Sequence, residues 1–195
     1  MLKPKILMMP GAYIEYYPDF FNKDLANHYF DLLKQETPWQ QDNIKVFGKT
    51  YLQPRLTAFY ANNSKSYTYS NITMQPLVFS KILTTIKKQV ETACNLSFTS
   101  CLLNLYRDGK DSNGWHADDE KALGKNPVIA SVSFGEERWF HLKHKKEKDL
   151  KTKLLLEHGS LLVMKGETQH QWLHQIPKTK KIIAPRINLT FRNIK

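Results

Sequence analysis

Two segments in the first half of the chain have the apolar spacing of amphipathic helices. Apolar residues recur every three or four positions across residues 23–36, with Asn22 as a suitable N-cap and Pro38 just beyond. Residues 77–94 show the same spacing, and their apolar side chains would share one face. The sequence therefore predicts two helices before residue 95.

The second half of the chain has a different residue pattern, with short runs of β-branched and aromatic residues separated by Gly, Pro, Asn and Asp. These runs lie at 101–106, 128–134, 138–142, 153–156, 160–164 and 182–191. Many short strands with frequent turn signals favour an antiparallel sandwich or barrel. We expect a mainly β core of about 95 residues at 96–195, with the two helices packed outside it.

Residues 43–69 differ from both halves and predict strand hairpins. Apolar and polar residues alternate on either side of Phe47, Gly48 and Lys49, which would form a hairpin tip. An apolar tip between lysines is an unusual feature to expose to water. Phe47 would either protrude for a purpose or fold back into the core.

The composition narrows the class of protein. A chain of 195 residues suits one domain, and no apolar run approaches the roughly 18 residues of a membrane span. Cys94 and Cys101 are too few for a disulfide framework, so we expect a reduced, intracellular protein. The net charge of +11 suits a polyanion such as a nucleic acid, although lysine-rich composition alone also produces such values.

A candidate metal site begins with His116 and Asp118. In an extended chain, residues two apart lie on one face, so this pair could share a metal ion. A distant histidine would complete a two-histidine, one-carboxylate site that leaves adjacent positions on iron open. His170 and His174 are both candidates, and their spacing does not distinguish between them.

The last predicted strand has one polar and one apolar face. Its polar positions are Arg186, Asn188, Thr190 and Arg192. Two guanidinium groups on one face would suit a dicarboxylate such as 2-oxoglutarate, because each can hold a carboxylate by two hydrogen bonds. The alternative is an ordinary half-exposed strand with solvated arginines.

An ordered set of motifs closely resembles the AlkB family of Fe(II)/2-oxoglutarate nucleic-acid dealkylases. The motifs lie at 104–109, 115–120, 128–135, 158–162 and 184–192, and the resemblance covers roughly residues 40–195. The upstream segments 46–49, 54–55 and 67–70 look most like the branch that repairs duplex DNA.

The resemblance implies an α+β, mainly β protein with a double-stranded β-helix (jelly-roll) core, two outer N-terminal helices and a nucleotide-recognition hairpin. Residues 1–195 would form a single catalytic domain. His116, Asp118 and His174 would ligate Fe(II), because His174 has the family's interval to Arg186. The co-substrates would be 2-oxoglutarate and O2. The residues that would bind 2-oxoglutarate are Asn104, Tyr106, Arg186, Thr190 and Arg192.

The implied substrate is alkylated DNA, preferably duplex, with the damaged base flipped out of the helix. Phe47 would fill the vacated gap, while Tyr69 and the ring of His116 would sandwich the base. The residues implied to contact the substrate are Phe47, Gly48, Lys49, Arg55, Tyr67, Tyr69, Asp119 and Glu120. The reaction would demethylate 1-methyladenine and 3-methylcytosine, releasing formaldehyde, succinate and CO2.

Other interpretations remain open at this stage. The same chemistry could act on RNA or single-stranded DNA, or the chain could be a non-catalytic basic β-domain that binds nucleic acid. Lysines in residues 143–153 would either form a solvated loop or contact phosphates of the strand opposite the lesion. We expect a monomer without membrane contact, cytoplasmic in a bacterium and nuclear in a eukaryote.

Overall fold

The computed structural model describes residues 3–46, 48–62, 67–69 and 72–195, with residues 45, 46, 67–69, 72 and 73 described by backbone alone. Its helices are α1 Lys23–Glu36, α2 Lys81–Cys94 and the short α3 Thr168–Gln171. Its strands are β1 Lys5–Met9, β2 Ala12–Tyr17, β3 Asn43–Val46, β4 Lys49–Leu52, β5 Leu56–Ala61, β6 Tyr67–Tyr69, β7 Ile72–Met74, β8 Ser100–Tyr106, β9 Asn113–His116, β10 Ile129–Gly135, β11 Arg138–His144, β12 Lys151–Leu156, β13 Ser160–Lys165, β14 Trp172–Ile176 and β15 Arg186–Arg192.

Two antiparallel sheets form the core. The larger sheet has seven strands in the order β1-β2-β13-β10-β15-β8-β5, and the smaller has four in the order β12-β11-β14-β9. Side chains from the facing sheets pack in one cluster, in which Ile129 and Met164 of the larger sheet meet Phe140 and Trp172 of the smaller. This two-sheet arrangement confirms the antiparallel β core that the sequence pattern predicts and the jelly roll that the family resemblance implies.

Helices α1 and α2 cover the other face of the larger sheet. The side chain of Asn22 accepts a hydrogen bond from the Leu25 amide at 2.9 Å, which caps the start of α1. Ala26 and Leu33 of α1 are buried in a second core cluster beside Phe134 of β10. Among the described residues, no helix is both long enough and apolar enough to cross a membrane.

The second helix begins four residues later than its apolar spacing predicts. Leu77 instead bridges to the neighbouring strand, donating its amide to the Phe59 carbonyl at 2.8 Å. Ser80 then serves as the N-cap, and its side chain accepts a hydrogen bond from the Leu83 amide at 3.3 Å. The backbone bonds of residue 77 are therefore satisfied by a strand rather than by the helix.

The strands of the core extend further toward the N-terminus than predicted. β1, β2 and β5 all join the larger sheet, so the expected division near residue 95 does not separate core from periphery. The last strand begins at Arg186 rather than 182, and Ile182 is fully exposed. β11 continues to His144 and β12 begins at Lys151, so three of the lysines in 143–153 lie on strands.

The hairpin expected near residue 48 is present as β3 and β4, which pair from Asn43 with Leu52 to Val46 with Lys49. Gly48 has φ of 78°, a value that glycine adopts readily in short hairpin connections. Phe47, predicted as the tip residue, lies outside the described residues. A second small hairpin consists of β6 and β7.

Candidate active site

Three potential metal ligands converge between the two sheets. Their ligand atoms, from His116, Asp118 and His174, all lie within 4.8 Å of one another. His116 on β9 is paired in register with His174 on β14, which brings their ring centroids to 4.2 Å. The His174 Nε2 atom lies 3.8 Å from the Asp118 Oδ2 atom. The strand register therefore assembles the cluster from residues 58 positions apart in the sequence.

The competing histidine lies outside this cluster. His170 on α3 is exposed, and its Nε2 atom accepts a hydrogen bond from the Asn126 amide at 3.1 Å. His174, by contrast, is only 5% exposed and faces the cavity from β14. His170 lies on a helical turn and His174 on a strand, so the two histidines do not share one face.

Hydrogen bonds fix the orientation of the His116 ring and of the Asp118 backbone. The His116 Nδ1 atom lies 2.8 Å from the Gly114 carbonyl, so Nδ1 carries the proton and donates it there. The unprotonated Nε2 atom, the nitrogen that a metal would bind, lies 3.2 Å from the side-chain amide nitrogen of Asn113. The Asp118 amide donates to the Oε1 atom of Gln169 at 2.9 Å. Gln169 is fully buried and was not anticipated, because a single glutamine on a short helix has no sequence pattern.

The protonation states of the cluster suit metal binding. Burial raises the pKa of Asp118, but the nearby Arg192 guanidinium and the two histidines outweigh this and lower it overall. Burial lowers the pKa of His174 to about 3 and lowers that of His116 as well. At neutral pH the site therefore offers two neutral imidazoles and one carboxylate, a donor set that fits Fe(II).

Arg186 lies in the same cavity with unused hydrogen-bond donors. Its Nη2 group donates to the Ser133 hydroxyl at 2.9 Å, and its guanidinium stands 5.3 Å from the Tyr106 ring centroid. Its Nε and Nη1 groups are buried and have no hydrogen-bond partner among the residues that the structure describes. Burial lowers the pKa of Arg186 to about 10, so it remains a cation at neutral pH. A buried cation with free donors is suited to bind the carboxylate of a small ligand.

Arg192 lies at the other end of the polar face of β15, next to the metal cluster. Its Nη2 group donates to the Asp118 Oδ1 atom at 2.6 Å, and both side chains are almost completely buried. The family resemblance implies that Arg192 binds a carboxylate of 2-oxoglutarate. The carboxylate that it contacts in this structure is that of the candidate metal ligand.

The remaining residues predicted to bind 2-oxoglutarate line the same cavity, and two of them, Asn104 and Thr190, belong to one hydrogen-bond network. Thr190 donates its hydroxyl to the Asn188 Oδ1 atom at 2.9 Å, and Asn104 donates its amide to the same atom at 3.3 Å. Asn188 in turn donates to the Ser131 hydroxyl at 2.8 Å. Tyr106 completes the wall beside Arg186. The polar alternation along β15 therefore faces the cavity, as expected.

Arg55 has a different position from the one expected. It was predicted near the opened DNA strand, but it is only 4% exposed. Its Nε group donates to the Asn104 Oδ1 atom at 2.7 Å, and its Nη1 group donates to the Ser112 carbonyl at 3.2 Å. β5 lies beside β8 in the larger sheet, and this pairing directs Arg55 toward the cavity wall. In this structure Arg55 orients Asn104.

The residues predicted to contact the substrate base are only partly described. Asp119 is exposed and paired with Lys145 at 2.9 Å. Glu120 has a buried Oε2 atom with no partner among the described residues, and burial raises its pKa. Gly48 and Lys49 are exposed on the β3–β4 hairpin. Tyr67 and Tyr69 lie on β6, which is described by backbone alone, so stacking of Tyr69 on the base and a contribution of Tyr67 to the shape of the pocket stay predictions.

The fold and the site together define a class of protein, a jelly-roll oxygenase with a mononuclear iron site of two histidines and one carboxylate. The profile of the 2OG-Fe(II) oxygenase superfamily matches residues 13–192. The chain is 42% identical over 187 residues to the human alpha-ketoglutarate-dependent dioxygenase alkB homolog 3, covering 91% of this chain and 65% of that protein. It is 37% identical over 188 residues to the mouse DNA oxidative demethylase ALKBH2, and the match covers 91% of this chain and 79% of that protein.

A solved structure, described as the structure of OsALKBH1, shares the fold at a TM-score of 0.65 and 19% identity, covering 97% of this chain and 100% of that one. The chain belongs to the 2OG-Fe(II) oxygenase superfamily and, within it, to the AlkB family. Its members use Fe(II), 2-oxoglutarate and O2. The chain spans just under two thirds, 64–65%, of the bovine and human homolog 3 proteins.

Proposed function

We propose that this protein is an Fe(II)- and 2-oxoglutarate-dependent dioxygenase that removes methyl groups from ring nitrogens of DNA bases, with 1-methyladenine and 3-methylcytosine in duplex DNA as preferred substrates. One observation carries the proposal. The His116, Asp118 and His174 cluster shares a cavity with Arg186, whose buried donors lack partners among the described residues. Metal ligands and a carboxylate-binding cation are the two parts that this co-substrate requires.

His116, Asp118 and His174 would hold the iron, and Arg186 would hold the distal carboxylate of 2-oxoglutarate. When bound, iron and 2-oxoglutarate supply an oxidant strong enough to hydroxylate a methyl C–H bond. Each turnover would consume O2 and 2-oxoglutarate and release succinate, CO2, formaldehyde and the repaired base. The protein would supply the positions of these groups and a cavity enclosed by apolar side chains such as Leu102 and Phe140.

The residues around the site would keep its components in fixed positions. Arg55 orients Asn104, which would line the 2-oxoglutarate pocket together with Thr190. Gln169 holds the backbone of Asp118 through the 2.9 Å hydrogen bond from the Asp118 amide. Such outer contacts determine where the ligands point and how tightly the metal binds.

Several properties support alkylated DNA as the substrate. The mouse relative is named a DNA oxidative demethylase, and the net charge of +11 favours binding to a polyanion. A base methylated at a pairing nitrogen is cationic and pairs poorly, so it costs less to flip out of the duplex. The carboxylates of Asp119 and Glu120 would favour a cationic base over a neutral one.

The preference for duplex DNA depends on the hairpin formed by β3 and β4. An apolar side chain inserted into the gap left by a flipped base offsets part of the unstacking cost of a few kcal/mol. Phe47 occupies the tip position in the sequence, between strands that the structure pairs. Action on RNA or single-stranded DNA is the alternative, because the metal and 2-oxoglutarate sites would serve either substrate equally.

The test is a mass-spectrometric assay on matched single- and double-stranded oligonucleotides that carry 1-methyladenine or 3-methylcytosine. Reactions would contain Fe(II), ascorbate and 2-oxoglutarate, with His116→Ala as the control. The expected result is loss of the mass of one methylene group, faster on the duplex than on the single strand and absent in the control. Loss on single strands alone would overturn the duplex preference. Steady formation of succinate without a change in the mass of the oligonucleotide would contradict the proposed substrate.

A further inference from the structure

The outer face of the smaller sheet, which points away from the active site, has an unusual composition. Alternate residues of β11 and β12 point outward, while Phe140, Leu142 and Leu156 are buried against the larger sheet. The outward pairs in register are Trp139 with Leu155, His141 with Lys153 and Lys143 with Lys151. We call these six residues, together with Trp115 at the end of β9, the outer face.

Two large aromatic side chains are exposed on the outer face. Trp139 is 45% exposed and Trp115 is 39% exposed. Each indole lies beside an ammonium group, with the Lys153 Nζ atom 4.5 Å from the Trp139 ring centroid and the Lys143 Nζ atom 4.4 Å from that of Trp115. Trp139 and Lys143 are four residues apart on one strand, so their Cα atoms lie roughly 14 Å apart along β11.

The charges on the outer face are all of one sign. None of its residues is acidic. Glu147 and Asp149 are the acidic residues of the loop that connects β11 to β12. Lys143 and Lys151 are directly opposite each other, although like charges at such positions destabilise a sheet. Sheet stability therefore does not account for this pair, whereas binding to a polyanion would neutralise both charges.

The outer face differs from the catalytic cavity in position and in the ligand it suits. Trp115 immediately precedes His116, but His116 points into the cavity while Trp115 is exposed on the other side. A groove on this side is lined by Trp115 and the lysines at 143, 148, 151 and 153. It contains no candidate metal ligands from the cluster and no arginine with unused donors.

We propose that the outer face is a second binding surface for an unpaired polynucleotide strand. Bases would stack on Trp115 and Trp139, while Lys143, Lys151 and Lys153 would contact the phosphates. Every base has a π face, so such stacking requires unpaired bases and little sequence preference. Because the face carries no metal ligand, its binding would not depend on alkylation, Fe(II) or 2-oxoglutarate. The surface would retain a strand near the active site between successive lesions.

The test measures binding of a fluorescein-labelled, unmethylated oligothymidylate of 20 nucleotides by fluorescence anisotropy across a salt series. Lys143→Gln/Lys153→Gln would be compared with Lys34→Gln/Lys88→Gln. The control pair removes the same charge from exposed positions on α1 and α2, which cover the other sheet. Trp139→Ala and Trp139→Phe separate the aromatic contribution, and thermal unfolding of each variant checks the fold.

Removing two phosphate contacts should reduce the slope of log affinity against log salt by roughly 1.4, while the control pair leaves it unchanged. Trp139→Ala should weaken binding about tenfold, and Trp139→Phe should retain most of the affinity. Equal losses in both lysine pairs would refute the proposal, because bulk charge would then explain the binding. Preferential binding of polyglutamate over the oligonucleotide would refute it too, since the face would then recognise acidic polypeptide.

Turnover of a methylated trinucleotide distinguishes this proposal from the proposed function. We expect a substrate of three nucleotides to enter the cavity and leave the outer face unoccupied. Its turnover should therefore be unchanged in Lys143→Gln/Lys153→Gln. Loss of that turnover would show that these lysines act in catalysis and would contradict a separate surface. Normal turnover together with normal oligothymidylate binding would contradict the second binding surface and leave the proposed function intact.

Discussion

Replacement of Arg186 by methionine should stabilise the ligand-free protein while abolishing its response to 2-oxoglutarate. The side chain is 1% exposed, and its Nε and Nη1 groups have no partner among the described residues. Burial of its charge lowers the pKa from 12.5 to about 10. At 1.36 kcal/mol per pKa unit, this fall corresponds to roughly 3 kcal/mol of destabilisation of the charged form.

The sign of this effect follows from proton linkage. A cation whose pKa is lowered by folding carries its full energetic cost below the folded pKa of about 10, so the cost is present at pH 7. Methionine has a similar length, no charge and no hydrogen-bonding requirement. Loss of the hydrogen bond to Ser133 would cost about 1 kcal/mol, which leaves a net gain of roughly 2 kcal/mol.

The assay is thermal unfolding at pH 7, with Mn(II) in place of Fe(II) to prevent turnover, in the presence and absence of 2-oxoglutarate. A gain of roughly 2 kcal/mol raises the Tm of a protein of this size by about 4–8 °C. Saturating 2-oxoglutarate should raise the Tm of the wild type and leave that of Arg186→Met unchanged. A large fall in Tm for the ligand-free variant, or equal stabilisation of both proteins by 2-oxoglutarate, would refute the reasoning.

Three further predictions concern residues around the site and the hairpin. Gln169→Leu removes the acceptor for the Asp118 amide and should weaken Mn(II) binding 10- to 100-fold in calorimetric titrations. An unchanged Mn(II) affinity would show that Gln169 does not position Asp118. Arg55→Met frees the side chain of Asn104 and should raise the KM for 2-oxoglutarate more than it lowers kcat. An increase confined to the KM for DNA would instead indicate that Arg55 contacts the DNA substrate. Phe47→Ala should slow repair of duplex DNA and spare single strands, and equal slowing on both would exclude a wedge.

Regular alternation and helix caps were readable from the sequence because each depends on neighbouring residues. The bounds of α1 match the expected helix, and the alternation along β15 placed its polar side chains in the cavity. The second helix began late because residue 77 pairs with a strand that is distant in the sequence. β1 and β2 were missed for the same reason, since their place in the larger sheet depends on pairing with β13.

The candidate site shows the same division between local and distant information. His116 and Asp118 were recognisable as a pair by their spacing, but spacing alone could not choose between His170 and His174. The structure brings His174 to the pair because β14 lies beside β9, while α3 turns His170 toward Asn126. The inward position of Arg55 depends on the register of two neighbouring strands. No spacing rule in one sequence encodes such a register.

The most direct test of the central claim measures formaldehyde and succinate in the same reaction. The protein would be supplied with Fe(II), O2 and 2-oxoglutarate, together with a duplex that is either methylated at one adenine N1 position or unmethylated. We predict equal amounts of the two products from the methylated duplex and almost none from the unmethylated one. Succinate without formaldehyde from the methylated duplex would contradict DNA demethylation, and the absence of both products would contradict the assignment of the cavity as a dioxygenase active site.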